Sequence, residues 1–125
     1  MTAACSKAEE LHKFDEAKLI RMSEDLVSEV NKVNGQAVYD LIEETIRKTA
    51  TVDGFNQMID KQLKKTTEFD SIISTNFSQS LHSLEKYPIG QVVVLARFEN
   101  GTMTYNFNYN ELNKIIGFSM VFQLK

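Results

Sequence analysis

General acid–base chemistry needs a carboxylate or an imidazole inside a pocket, within hydrogen-bond reach of the substrate. In this chain the acids nearest the C-terminal strands, Asp70, Glu85, Glu99 and Glu111, fall at strand ends or turns, and His82 falls on the polar side of its strand. His12 and His82 are far apart, and no His/Glu spacing suggests a zinc site. The polar atoms that an inward face would present are the hydroxyls of Tyr105 and Tyr109. The residues therefore name no catalytic group, metal or cofactor. A small isomerase or dehydratase, with Tyr105 or Tyr109 as hydrogen-bond donor, stands as the alternative. Tyr39, Tyr105 and Tyr109, with Met58, Met103 and Met120, would line a pocket for a small hydrophobic ligand or fill the core.

The remaining reactive side chain is Cys5. A single cysteine excludes an internal disulfide and any cysteine-based metal cluster. Thr2-Ala3-Ala4-Cys5-Ser6-Lys7 resembles the end of a bacterial lipoprotein signal, in which small residues precede the Cys that is lipidated; Thr2 stands where a Leu is usual. On that reading Met1 replaces a removed signal, the native chain begins at Cys5, and residues 1–13 tether a single domain of residues 14–125. Ser6-x-x-Glu9 fits a capping box, so a helix could also begin early.

The elements that would position these residues are most legible in the C-terminal third. Gln91–Phe98 and Thr102–Tyr109 alternate with the period of strands, and Asn100-Gly101 between them predicts a type I′ hairpin with positive φ at both residues. That loop pairs Phe98 with Met103, Ala96 with Tyr105, Val94 with Phe107 and Val92 with Tyr109, all on one inner face. A four-residue loop over Asn110–Asn113 then pairs Phe107 with Ile116, Tyr105 with Phe118 and Met103 with Met120, and Phe122 and Leu124 continue that face.

The outer face carries Val93, Leu95, Arg97, Thr104, Asn106 and Val121, flanked by Asn108, Ser119 and Gln123. β-Branched and small polar residues suit either a solvated sheet or packing against a second copy, with Arg97 paired across that contact. From Phe69 an earlier strand places Ile73, Phe77 and Leu81 on one side and Ser74, Asn76, Ser78, Ser80 and His82 on the other. A loop over Leu84–Gly90, holding Pro88, joins it to the meander.

Ahead of the strands the apolar period is helical. Asp15 is the expected N-cap of a first helix, with Phe14 and Leu19 as a hydrophobic staple, and Asn34-Gly35 its expected stop. Val38, Leu41, Ile42, Thr45 and Ile46 stripe a second helix, and Thr51 caps a third. Three helices before four antiparallel strands predict an α+β domain with the helices on one sheet face.

These stretches, Cys5-Ser-Lys7, Phe14 to Ile20 and Val92 to Phe118 above all, resemble small bacterial domains of the nuclear-transport-factor-2-like, or cystatin-like, superfamily, many of them Gram-positive lipoproteins. The resemblance covers nearly the whole chain. It implies a cone in which a curved sheet wraps the helices, often a homodimer through the outer face, and it carries over no catalytic motif. Such domains often have a Gly before the first long strand, where this chain has Thr66-Thr-Glu-Phe69. A net charge of −3 without a basic cluster argues against nucleic acid or an anionic membrane surface as partner. The expectation is a non-enzymatic binding or interaction module, lipid-anchored at Cys5 on the outer leaflet of the cytoplasmic membrane. Its partner would be a protein, a copy of itself or a small hydrophobic ligand, and a cytoplasmic domain is the other possible address.

Overall fold

The computed structural model describes residues 13–125. Cys5, His12 and the Ser6/Glu9 pair lie outside the described residues.

Asp15 does cap the first helix, α1 (Glu16–Val30): its side chain accepts from the Lys18 amide at 3.1 Å. Phe14 and Leu19 are both buried. The stop differs from the expected one. Val33, at φ 56°, takes the left-handed turn after α1, and the Asn34 amide donates back to the Glu29 carbonyl at 3.1 Å. Gly35 instead opens the next helix, α2 (Gly35–Tyr39), with a negative φ. Its value lies in close approach rather than in backbone freedom. Its N–H donates to Asn56 Oδ1 at 2.6 Å, and a Cβ there would sit 2.5 Å from that same oxygen.

The expected second helix is broken into α2 and α3 (Glu44–Arg47). Between them Ile42 forms a parallel bridge to Ile115: the Ile115 amide donates to the Leu41 carbonyl at 2.7 Å, and the Glu43 amide to the Ile115 carbonyl at 2.8 Å. These long-range bonds compete with helical ones over Leu41–Glu43 and win. Glu43 then caps α3 through the Thr45 and Ile46 amides. Thr51 caps α4 (Val52–Leu63) as expected, accepting from Gly54 at 2.9 Å.

Four strands follow: β1 (Phe69–Leu81), β2 (Pro88–Phe98), β3 (Gly101–Tyr109) and β4 (Ile115–Leu124). They form one antiparallel sheet in sequence order. Pro88 begins β2, where a missing N–H costs no central ladder bond, rather than sitting in the loop. β1 is irregular between Phe69 and Ser71 and between Ile72 and Ser74. Ile73 therefore falls in a bulge and is not an inner-face partner of Phe77.

The parity expected for β2 and β3 holds: Val92, Val94, Ala96, Phe98, Met103, Tyr105, Phe107 and Tyr109 are all buried. The pairing is shifted by two residues. Phe98 faces Gly101, Ala96 faces Met103, Val94 faces Tyr105 and Val92 faces Phe107. The turn is Glu99-Asn100, and neither Asn100 nor Gly101 has a positive φ, so the type I′ hairpin is absent. Two contacts account for the shift. The Asn100 side chain ties the turn to the α4–β1 linker, donating to the Lys65 carbonyl at 2.9 Å and accepting from the Thr67 amide at 3.0 Å. Gly101 joins the ladder against β4, where a Cβ would strike the Gln123 carbonyl oxygen and come within 2.6 Å of Phe122.

The second turn is also longer than expected. Tyr109 faces Ile115 across residues 110–114, and a bulge then sets Phe107 opposite Phe118, Tyr105 opposite Met120 and Met103 opposite Phe122. Ile115, not Ile116, is the buried residue, and Leu124 is exposed. The helices close over the inner face, with α1 against β1 and β2 and α4 against β4.

Candidate functional site

The inner face and the outer face offer different chemistry. Under the helices, the Tyr105 hydroxyl donates to Asn31 Oδ1 at 2.6 Å, and the Tyr109 hydroxyl is 2.8 Å from Ser23 Oγ. Both rings are fully buried, and Ser23 is as well. Burial raises the Tyr105 phenol far above its ordinary value, and the Asn31 hydrogen bond opposes only part of that rise; burial likewise pushes Tyr109 up to about 12, partly offset by Ser23. Phe107 packs against Phe118 with ring centroids 5.1 Å apart.

Of the six residues expected to line a pocket, four (Met103, Tyr105, Tyr109 and Met120) come together as packed core. Tyr39 lies apart, half-buried, with the Arg47 guanidinium 5.2 Å from its ring centre. Met58 borders a shallow hollow at the start of α4, beside Thr51 and Phe55. Sequence reasoning missed Ser23 and Asn31. The signal was present: Ser23 occupies a position on the apolar stripe between Leu19 and Val27, where a polar side chain needs a partner.

The acids sit where the sequence places them, away from the tyrosine hydroxyls. Glu99 is in the β2–β3 turn, Glu111 in the β3–β4 turn and Glu85 in the β1–β2 turn, and Asp70 is near the start of β1. Glu68, Asp70, Glu99, Arg97 and Lys125 surround a hollow of about 400 Å³ at the hairpin end of the sheet. His82 lies just past β1, stacked on Tyr87 with ring centroids 4.7 Å apart. Among the described residues, no three His, Cys, Asp or Glu side chains are gathered to hold a metal ion, and no helix is long and apolar enough to cross a membrane.

The outer face is a regular grid. One row across the sheet reads Asn76–Val93–Asn106–Ser119, and the next Ser74–Leu95–Thr104–Val121. The rows beyond them read Ser78–Gln91–Asn108–Gly117 and Ser71–Arg97–Thr102–Gln123. None of these residues is buried, and Val121 is 61 % exposed. Arg97 is the single ionisable side chain in the four rows. Gln91 Nε2 donates to Asn106 Oδ1 at 3.1 Å, and Ser78 Oγ donates to Gln91 Oε1 at 3.4 Å, so part of the polar grid is already self-paired. The six outer residues expected to form an interface thus share one continuous surface.

Architecture and surfaces together define an α+β domain whose helices close one side of a four-stranded antiparallel sheet and, among the described residues, leave the other side uncovered. The chain belongs to the family described as protein of unknown function (DUF3887), whose model matches residues 23–118. The NMR structure of a protein from Ruminococcus gnavus ATCC 29149 is similar, with a TM-score of 0.68 and 14% identity over 85% of this chain and 90% of that one. At that identity the likeness speaks for the fold. A comparison with curated proteins gives no match.

Proposed function

We propose that this domain is a non-enzymatic interaction module that pairs with a second copy of itself through the outer face of its sheet. The observation that carries the reading is the charge pattern of the four rows. A quarter of the chain is charged, yet these four rows hold Arg97 alone among hydroxyls, amides and aliphatic side chains. Depletion of charge is what marks the centre of a protein interface, whereas overall hydrophobicity does not. Val93 and Leu95 on β2, with Val121 on β4 across Thr104 of β3, would form the apolar centre. Arg97, in the last row near Glu99 and Asp70 around the hairpin-end hollow, would meet acids at the rim of a two-fold contact.

On the inner side, the two tyrosine hydroxyls that could serve a substrate are engaged by Ser23 and Asn31, which supports a structural role for them. The order of elements, with helices first and then an antiparallel meander closed on one face, supports placing the family in the nuclear-transport-factor-2-like superfamily. Phe14 already packs into the core, which is in keeping with Cys5 as a tether ahead of it. Lipid-anchored display outside a bacterial membrane is then the natural setting; one acyl chain binds only marginally, so the anchor would carry more than one. Loss of acyl labelling in Cys5→Ser, expressed with its own upstream sequence, tests the anchor; equal labelling of both refutes it.

The interface itself is tested by solvent paramagnetic relaxation of methyl groups. A soluble gadolinium chelate should bleach Val93, Leu95 and Val121 in dilute protein and spare them in concentrated protein. Equal bleaching at both concentrations would rule the paired face out.

A further inference from the structure

Three segments meet at the end of the sheet away from the β2–β3 turn: α3 with its cap, the β1–β2 turn, and the β3–β4 turn. Between them lies an open hollow of about 830 Å³. Ile46, Tyr87, Pro88 and Ile116 give it apolar walls. Among the described residues its charged lining is of one sign: Glu43, Glu85 and Glu111 border it, and neither Lys nor Arg does. Arg47, next to Ile46 in sequence, instead directs its guanidinium to the carbonyls of Asp40 and Ile42. Among the described residues no salt bridge engages any of the three glutamates, although one oxygen of Glu43 serves the α3 amides.

Its two turns each expose a leucine. Leu112 borders the hollow and is 75% exposed, and Leu84, next in sequence to the lining residue Glu85, is 84% exposed. Neither is held out by a loose loop. His82 Nδ1 accepts from the amides of Leu84 and Glu85 while its ring stacks on Tyr87, and Asn110 Oδ1 accepts from the amides of Leu112 and Lys114, both at 2.9 Å. Both turns are thus fixed in shape with an apolar side chain facing water. A preorganised surface of this kind loses little entropy on binding.

We propose that this hollow docks a short basic–apolar segment of a partner protein, with leucine-like side chains against Ile46, Ile116 and Leu112 and Lys or Arg side chains meeting Glu43, Glu85 and Glu111. The complementarity is one of sign and of hydrophobicity together. An anionic lipid surface would suit the two leucines but would be repelled by the three carboxylates. The volume falls within the range of clefts that hold small ligands, roughly 300–1,000 Å³, so a few side chains would fit. The proposal rests on reading the domain as an interaction module, but it uses a different surface from the outer sheet face. A variant that fails here leaves self-association unchanged, and the reverse also holds.

The test is a titration of isotope-labelled protein with the capped peptide Lys-Leu-Lys-Leu-Lys and with its counterpart Glu-Leu-Glu-Leu-Glu, followed by amide chemical shifts. The lysine peptide should move Glu85, Tyr87, Leu112 and Ile116 in a saturable way, and the glutamate peptide should not. The double variant Glu85→Gln/Glu111→Gln should weaken binding by about tenfold, the loss of two exposed charge contacts. Leu112→Ser should weaken it as well, while shifts elsewhere report an intact fold. No saturable shift with the lysine peptide, equal binding of both peptides, or full affinity in the double variant would overturn the proposal. Sedimentation of wild type, but not Leu112→Ser, with phosphatidylglycerol vesicles would overturn it in favour of a lipid surface.

Discussion

The Tyr109 hydroxyl and Ser23 Oγ lie 2.8 Å apart, 86 residues distant in sequence and wholly shielded from water. This bond joins the middle of α1 to the end of β3 and fixes how the first helix crosses the sheet. Replacing one partner strands the other without water, whereas replacing both removes the demand. Tyr109→Phe should therefore destabilise by about 1–3 kcal/mol. Adding Ser23→Ala to it should recover much of that loss in urea unfolding. Additive losses in the double variant would mean that the two hydroxyls do not serve each other.

The same burial gives the domain a defined alkaline limit. Tyr109 is pushed up to about 12 from an ordinary value of 10.0, and Tyr105 is raised further still, so the folded state holds both phenolic protons more tightly than the unfolded chain. The stability this confers is fully present below pH 10.0 and is lost as pH climbs toward and past 12. Each phenol contributes a slope of at most about 1.4 kcal/mol per pH unit. Unfolding free energy measured across that window should fall, and Tyr109→Phe should flatten the fall. A flat profile in wild type would mean that the rings reach solvent.

Gly101 carries the register of the β2–β3 hairpin. Its backbone lies against Gln123 and its missing side chain makes room for Phe122, so Gly101→Ala should cost about 1–3 kcal/mol by overpacking. A hairpin with Gly101 at positive φ would instead keep β4 clear of that Cβ and lose stability through backbone strain alone. The distinguishing measurement is the pair Gly101→Ala and Gly101→Ala/Phe122→Leu by thermal unfolding. Partial recovery in the double variant is expected; none would place the glycine back in the turn.

Side-chain parity was legible in the sequence because it depends on the alternation of residues one after another. Val92 to Phe98 and Met103 to Tyr109 alternate without interruption, and any even shift of pairing leaves them indoors. The shift itself was not legible. It comes from Asn100 bonding the segment before β1 and from Gly101 pressing on β4, contacts that no local window contains. The split of the second helix has the same origin, since the Leu41 carbonyl accepts from Ile115 and the Glu43 amide donates to it. The caps at Asp15 and Thr51 were readable because each acts within three residues. Of the candidate surfaces, the outer face followed from parity. The acidic hollow did not, because α3 and two turns assemble it from distant parts of the chain.

The most direct measurement is sedimentation velocity of wild type and Val93→Lys over a range of concentration. Val93 stands between Asn76 and Asn106 in the outer grid, so a lysine there should leave the monomer folded and place a charge at the centre of the contact. Wild type should move from monomer to dimer as concentration rises while Val93→Lys stays monomeric. Identical sedimentation of the two at every concentration would contradict it.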